Sequence, residues 1–407
     1  MQLRNVLCNF AVELKICTKM KNFISRDITP AIKEAYIYFP VIVITGPRQS
    51  GKTTLIKEIF NELPYYSLEN LDTQRFAKED PVGFLRSSMQ GMILDEVQNA
   101  PELLSYIQEI VDNNSNIRFI LSGSSNFTMI QSVSQSLAGR SAIFELLPLS
   151  INELPNETIG TTSLSELLYK GLYPSIWSNG TPPTIMYRNY VKTYLERDVR
   201  NISAIKDLSL FQKFLRLCAN RIGSIFVASQ LANELGVSVN TILSWLSILE
   251  ASYVVIMLSP FHENTRKRLT KSPKLYFTDT GLAAYLLDIE TITQLNNDKM
   301  RGHLFENLIV TEALKYRFNK GKDSNLYFYR DSHMNEVDLI LKNADKLKLI
   351  EIKSSETYHQ EFEKGIKAFC KEFGDKVEDN TIIYAGVLEN TTREIKLLNY
   401  SRLYEIL

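Results

Sequence analysis

A chain of 407 residues is too long for one ordinary core and points to two to four domains. Its hydrophobic fraction of 44% and charged fraction of 23% exclude a fibrous or disordered chain. Formal net charge is zero, so no global field draws it to nucleic acid or an anionic membrane, and such binding needs a local basic patch. No apolar run approaches membrane-spanning length. The four cysteines (Cys8, Cys17, Cys218, Cys370) and the scattered histidines lack the spacing of a metal knuckle. The expectation is a cytoplasmic protein with reduced thiols and no membrane partner.

In chain order, residues 1–25 read as an N-terminal extension. Residues 26–150 repeat strand, loop and helix, with apolar strands at 41–44, 65–68, 91–94, 118–121 and 141–146. That alternation predicts a parallel sheet covered on both faces. Residues 151–206 read as a helical linker or lid, including a charged helix over 190–201. Residues 207–295 form a compact helical module, and residues 296–407 return to mixed α/β. There the pattern predicts helices at 305–316 and 360–373 and strands near 326–330, 336–342, 347–353 and 381–386. The fold class is thus a multidomain α/β protein built on a parallel sheet.

The segment Gly46-Pro47-Arg48-Gln49-Ser50-Gly51-Lys52-Thr53-Thr54 fits G-x-x-x-x-G-K-[ST] and lies between a strand and a helix. Glycines there let backbone N–H groups wrap phosphates at the positive end of the helix dipole. Lys52 would reach the β- and γ-phosphates of ATP, and the Thr53 hydroxyl would hold Mg²⁺. Asp95-Glu96 follows an apolar strand, where ligands bind in open parallel sheets. Asp95 would support Mg²⁺, and Glu96 would orient and deprotonate the attacking water. Ser122 and Ser124 follow a third strand, either as polar sensors of the γ-phosphate or as a loop with no role. Arg140 is either an arginine finger for a neighbouring copy in a homo-oligomer or a paired surface arginine. Arg48 packs over the nucleotide or an adjacent acid.

Residues 227–242 read as helix, glycine turn, helix, followed by two strands that would form a wing. One reading is DNA binding through Asn240, Thr241 and Ser244, with phosphates held by Arg266, Lys267, Arg268 and Lys271. The other is a winged helix used for packing or partner contacts. Trp245 reads as core. In the C-terminal region, strand alternation places Glu351 and Lys353 on one face, within reach of Asp338 on the neighbouring strand. Two such carboxylates can hold Mg²⁺ or Mn²⁺, the lysine can activate water, and Glu306 can complete the shell. The competing reading is a charged strand pair joined by salt bridges.

The phosphate loop, Leu94-Asp95-Glu96-Val97-Gln98-Asn99-Ala100-Pro101-Glu102-Leu103-Leu104 and Leu121-Ser122-Gly123-Ser124-Ser125 resemble a large prokaryotic family of AAA-type ATPases. So do Ala77-Lys78-Glu79-Asp80-Pro81, Tyr194-Leu195-Glu196-Arg197-Asp198 and Lys274-Leu275-Tyr276-Phe277-Thr278-Asp279-Thr280-Gly281-Leu282. The resemblance covers about residue 20 to the end. It implies a C-terminal domain with a restriction-endonuclease-like core, and Glu306, Asp338 and Glu351-Ile352-Lys353 resemble the PD-(D/E)xK pattern. The resulting expectation is a Mg²⁺-dependent ATPase coupled to a winged-helix domain and a nuclease-like domain acting on DNA. Its rival is a nucleotide-gated switch that hydrolyses slowly and carries an inactive nuclease-like scaffold. A small-molecule kinase has no use for the helix-turn-helix or the E-x-K strand.

Overall fold

The computed structural model describes residues 23–407 apart from 89, 115, 124–132, 134–135, 196–206, 263–271 and 393. Two sheets organise them. The first is all parallel, in the order β2-β3-β4-β1-β5. Its strands are β1 (Val41–Thr45), β2 (Tyr65–Ser67), β3 (Gly91–Asp95), β4 (Arg118–Ser122) and β5 (Ser141–Glu145). Strand β1 is buried throughout, and its side chains divide between two cores. Ile42 and Ile44 meet helices α1 (Thr29–Tyr38) and α2 (Lys52–Ile59), whereas Val41 and Val43 face helix α3 (Leu103–Asn113). An apolar run without alternation is what a strand covered on both faces requires.

The order places β4 between β1 and β3, with Ser122 in register beside both Ile44 and Asp95. The carboxyl ends of these strands therefore converge where α2 begins. Beyond this sheet lie short helices, among them α4 (Pro174–Asn179), whose residues face the phosphate loop. Residues Tyr190–Leu195 form a π-helical turn; the remainder of the helix expected there lies outside the described residues.

Helices α5 (Leu208–Ala219), α6 (Ala228–Leu235) and α7 (Val239–Ala251) form the helical module. Gly236 ends α6 in the left-handed region at φ 66°, and Ser238 caps α7 by accepting from the Thr241 N–H at 3.1 Å. Trp245 packs on Phe211 and Phe214 in the core, as expected. Strands β6 (Val255–Pro260) and β7 (Lys274–Phe277) then pair as an antiparallel hairpin.

That hairpin does not stand apart. Strand β6 also runs parallel to β8 (Leu326–Arg330), through Ser259 beside Tyr327 and Pro260 beside Phe328. The second sheet therefore has seven strands, in the order β12-β11-β10-β9-β8-β6-β7. Its other members are β9 (Glu336–Asn343), β10 (Lys346–Lys353), β11 (Val377–Tyr384) and β12 (Lys396–Asn399). Helix α8 (Arg301–Asn319) is longer at both ends than expected and buried on most sides. Helix α9 (Lys364–Phe373) covers the opposite face, with Phe369 against Tyr329 and Phe261. Among the described residues, no helix is long and apolar enough to cross a membrane.

Candidate functional site

The phosphate loop is shaped by two glycines with positive φ. At Gly46 (φ 146°) a side chain would meet the Leu146 carbonyl oxygen at 2.2 Å, so only glycine fits. Gly51 (φ 96°) stands immediately before α2 and turns the chain into the helix. Lys52 is buried, and its ammonium donates to the Gly46 and Pro47 carbonyls at 2.9 and 2.8 Å. From below, Arg26 braces the loop. Its guanidinium donates to Ser50 O at 2.8 Å and Leu147 O at 2.7 Å, and pairs with buried Glu153 at 3.0 Å.

Three hydroxyls converge on Asp95. Thr53 donates to Oδ2 at 2.8 Å, Tyr65 donates to Oδ2 at 2.7 Å, and buried Ser122 donates to Oδ1. Burial, reinforced by Asp95, raises the Tyr65 phenol well above its usual range and fixes it as a donor. Glu96 adopts the left-handed region at φ 56°, unusual for a residue with a side chain, and receives a hydrogen bond from the Gln98 amide. A cleft of about 850 Å³ opens over Lys52, Thr53 and Glu96 and is bounded opposite by Pro174, Ser175 and Ser178 of α4. Magnesium and a triphosphate fit this donor set: a glycine-shaped anion cradle, a lysine, a hydroxyl and an oriented carboxylate.

The remaining expectations at this site separate. Arg48 lies 3.8 Å from Glu69, the adjacent acid. Ser122 faces Asp95, so within the chain it orients that carboxylate. Arg140 forms a two-pronged pair with Asp112, including Nη2 to Oδ2 at 2.8 Å, on a partly exposed surface. Ser124 lies outside the described residues. Tyr65, Arg26 and Glu153 were not anticipated. Tyr65 opens a predicted strand, a position from which its approach to Asp95 could have been suspected. Arg26 acts largely on backbone carbonyls, which leave no sequence signal.

At the C-terminal cluster, Asp338 Oδ2 accepts from the Ile352 N–H at 2.8 Å and lies 3.6 Å from Lys353 Nζ. Lys353 donates to Glu351 Oε1 at 2.6 Å, so the strand alternation places this pair as expected. Glu306 is held by a different lysine: it accepts from Lys274 Nζ at 3.0 Å and the Tyr276 hydroxyl at 2.6 Å. Lys274 also pairs with Glu336. Burial pushes Glu351 up to about 8, with the neighbouring Asp338 charge adding to it and Lys353 opposing. Glu351 Oε2 is buried and makes no hydrogen bond. Among the described residues, no group of three His, Cys, Asp or Glu side chains is arranged to hold a metal ion. The expected shell of Glu306, Asp338 and Glu351 is therefore not assembled, because lysines engage its acids. Lys274, Tyr276 and Glu336 were missed as members, although period-two spacing places Lys274 and Tyr276 on one face.

Asn240 is exposed on α7, with Thr241 and Ser244 half-buried beside it; Thr241 also shares a hydroxyl contact of 2.8 Å with Ser238. Arg266, Lys267, Arg268 and Lys271 lie outside the described residues. Directly after α7, Tyr253 reaches the nucleotide-binding sheet. Its hydroxyl lies 2.6 Å from Thr45 Oγ1, one residue before the phosphate loop, and 3.1 Å from Glu145.

A five-stranded parallel sheet carrying this loop and acid defines a P-loop nucleotide-binding protein. The matched AAA domain model agrees. Residues 38–155 match the AAA domain model, residues 161–293 match a domain of unknown function (DUF8612), and residues 301–403 match another (DUF4143). Uncharacterized protein Rv2008c of Mycobacterium tuberculosis is 30% identical over 339 residues, spanning 82% of this chain and 74% of that protein. Uncharacterized protein MJ1544 of Methanocaldococcus jannaschii is 26% identical over 400 residues, covering 90% and 85%. The Walker-type ATPase paby2304 of Pyrococcus abyssi is 14% identical at a TM-score of 0.44, covering 66% of this chain and 97% of its own. The chain belongs to the same family as Rv2008c, and its AAA domain makes that family one of ATP-binding P-loop ATPases.

Proposed function

We propose that the protein is a Mg²⁺-dependent ATPase of the AAA type whose nucleotide state is passed to a winged-helix module and a nuclease-like domain that acts on DNA. The observation that carries the catalytic half is Asp95, held by Thr53, Tyr65 and Ser122 at the mouth of the phosphate loop. Backbone amides from residues 46–54 and the Lys52 ammonium would bind the phosphates, and Thr53 with Asp95 would hold the magnesium. Bound magnesium would neutralise charge developing on the transferred phosphoryl oxygens. Glu96, one residue past the strand end and facing the cleft, takes a proton from the attacking water. Arg140 would serve a neighbouring copy only after leaving Asp112.

Turnover of ATP by wild type and Glu96→Gln tests this reading, with binding of a fluorescent ATP analogue measured in parallel. The expected result is retained binding and turnover lowered by about a hundredfold or more; equal turnover removes Glu96 from the reaction.

Residues 207–295 are proposed as the DNA-contacting module, through Asn240, Thr241 and Ser244 and the basic segment that follows. Helix-turn-helix order, a serine-capped second helix and a succeeding hairpin support it. Residues 296–407 supply the nuclease-like core, supported by the contact of Asp338, Glu351 and Lys353. A second reading is a nucleotide-gated switch with an uncleaving scaffold. It is favoured by the ion pairing of Glu306 with Lys274, and no metal-dependent step is derived at that cluster. Cleavage of plasmid and linear DNA with Mg²⁺ or Mn²⁺ by wild type and Asp338→Ala separates them. Cleavage abolished by the substitution supports the nuclease, and none by wild type supports the switch.

A further inference from the structure

We infer that Lys274, carried in on strand β7, is the built-in cation of the C-terminal carboxylate cluster and closes it to divalent metal. Four acids meet there from three elements: Glu306 from α8, Glu336 and Asp338 from β9, and Glu351 from β10. Lys353 serves Glu351 and Asp338 from the same strand region. Lys274 comes from outside that group, on the hairpin that follows the helical module, and is almost wholly buried with 2% exposure. Its ammonium touches Glu306 and Glu336, and Tyr276, on the same face of β7, fixes the same oxygen of Glu306.

Desolvating an ammonium is costly unless carboxylates surround it. Here its ammonium sits between the carboxylates of Glu306 and Glu336, which compensate its charge. A charged lysine is thus a fixed component of the cluster. A divalent ion would need these oxygens at about 2.0–2.6 Å, and an ammonium already 3.0 Å from Glu306 repels it from the same space. The cluster nevertheless retains metal-ligating capacity. Glu351 Oε2 is buried and without a hydrogen-bond partner, within a residue only 7% exposed. Removing the Lys274 charge frees Glu306 and leaves Glu351 Oε2 open, while Lys353 still serves Asp338 and Glu351 Oε1.

The closure concerns the same acids as the nuclease-like reading and favours its rival, the uncleaving scaffold; it rests on their position, not on cleavage. Metal binding is therefore the readout. Full-length wild type, Glu351→Gln, Lys274→Met and the double variant Lys274→Met/Glu351→Gln are titrated with Mn²⁺ alone, without nucleotide, and free Mn²⁺ is followed by electron paramagnetic resonance. Wild type is expected to show no site that Glu351→Gln abolishes. Lys274→Met is expected to gain one, at least about tenfold tighter than the residual Mn²⁺ binding of wild type, and the double variant to lose it. A Glu351-dependent site in wild type, or no gain in folded Lys274→Met, overturns the inference. Should Lys274→Met fail to fold, Lys274→Gln keeps a donor to Glu306 while removing the charge, and the same gain is expected. Wild type that gains no Mn²⁺ and cuts no DNA leaves the closure standing and removes the nuclease, whereas Mn²⁺ bound in wild type with cleavage does the reverse.

Discussion

Asp95 shows how one carboxylate is prepared before any ligand arrives. Three hydroxyl donors from three elements fix both of its oxygens, so its position no longer depends on its own rotamer freedom. Asp95→Ala is expected to lower ATP turnover by about a hundredfold or more, while the apolar walls of its strand keep the fold intact. Ser122→Ala, which removes one positioning bond, should cost about tenfold or less and should act mainly through the apparent Mg²⁺ requirement. Turnover across a Mg²⁺ titration checks both; a Ser122→Ala defect that excess Mg²⁺ does not relieve would assign the serine to the phosphate instead. Asp95 and Lys52 were legible because their signals are contiguous strings beside an apolar strand. Tyr65 and Arg26 were not, since one acts through a sheet neighbour and the other through carbonyls more than a hundred residues away, at Leu147. The cluster around Glu306 was half legible. E-x-K alternation placed Glu351 against Lys353, but only the pairing of β6 with β8 brings Lys274 to the same point.

Besides their apolar cores, elements in this chain meet through close backbone approaches and single polar contacts. Helix α9 lies so near β9 that a side chain at Gly365 would meet the Glu336 carbonyl oxygen at 1.7 Å. The obstacle is backbone rather than a flexible side chain, so the helix itself must move. Gly365→Ala is expected to destabilise the protein by about 3 kcal/mol, visible as a lowered denaturation midpoint at unchanged slope. The junction between α7 and β6 is built differently. Tyr253 sits at φ 55°, gives its carbonyl to the Thr278 hydroxyl at 2.6 Å, and sends its phenol to Thr45 and Glu145 on the other sheet. One residue thus joins the end of the second helix, the hairpin and the strand leading into the phosphate loop. Tyr253→Phe should cost about 1–2 kcal/mol, because Thr45 and the partly buried Glu145 lose a partner. In a double-mutant cycle with Thr45→Val the two effects should be non-additive by about 0.5 kcal/mol or more. Additive losses would show that the contact carries no energy between the sheets.

At the scale of the whole molecule, the sequence divides more cleanly than the structure does. Composition and motif spacing separate residues 207–295 from residues 296–407, and the two matched domain models also meet near that point. Local patterning has no way to show that β6, in the first segment, pairs with β8 in the second. Register between distant strands is decided by which apolar faces meet, and short runs such as β7 are compatible with either a free wing or a shared sheet. Phe261, immediately after β6, packs on Tyr327, Phe369 and Phe373 of the C-terminal half, and the buried Asn307 amide of α8 exchanges hydrogen bonds with the Phe277 backbone of β7. A fragment of residues 296–407 would therefore expose the β8 edge, the apolar seat of Phe261 and the uncompensated Glu306. An unpaired hydrophobic edge is a template for aggregation. A fragment of residues 147–407 keeps the seven strands, the Lys274 pairs and the core shared with residues 147–191 together. The longer fragment is expected to be monodisperse with a cooperative thermal transition, and the shorter one to aggregate or to lack near-ultraviolet dichroism. Size-exclusion chromatography and circular dichroism on the two fragments decide the matter. A cooperative, monodisperse 296–407 fragment would mean that the hairpin merely rests on a self-sufficient domain, and that movements beginning at Thr45 and Tyr253 need not reach the carboxylate cluster.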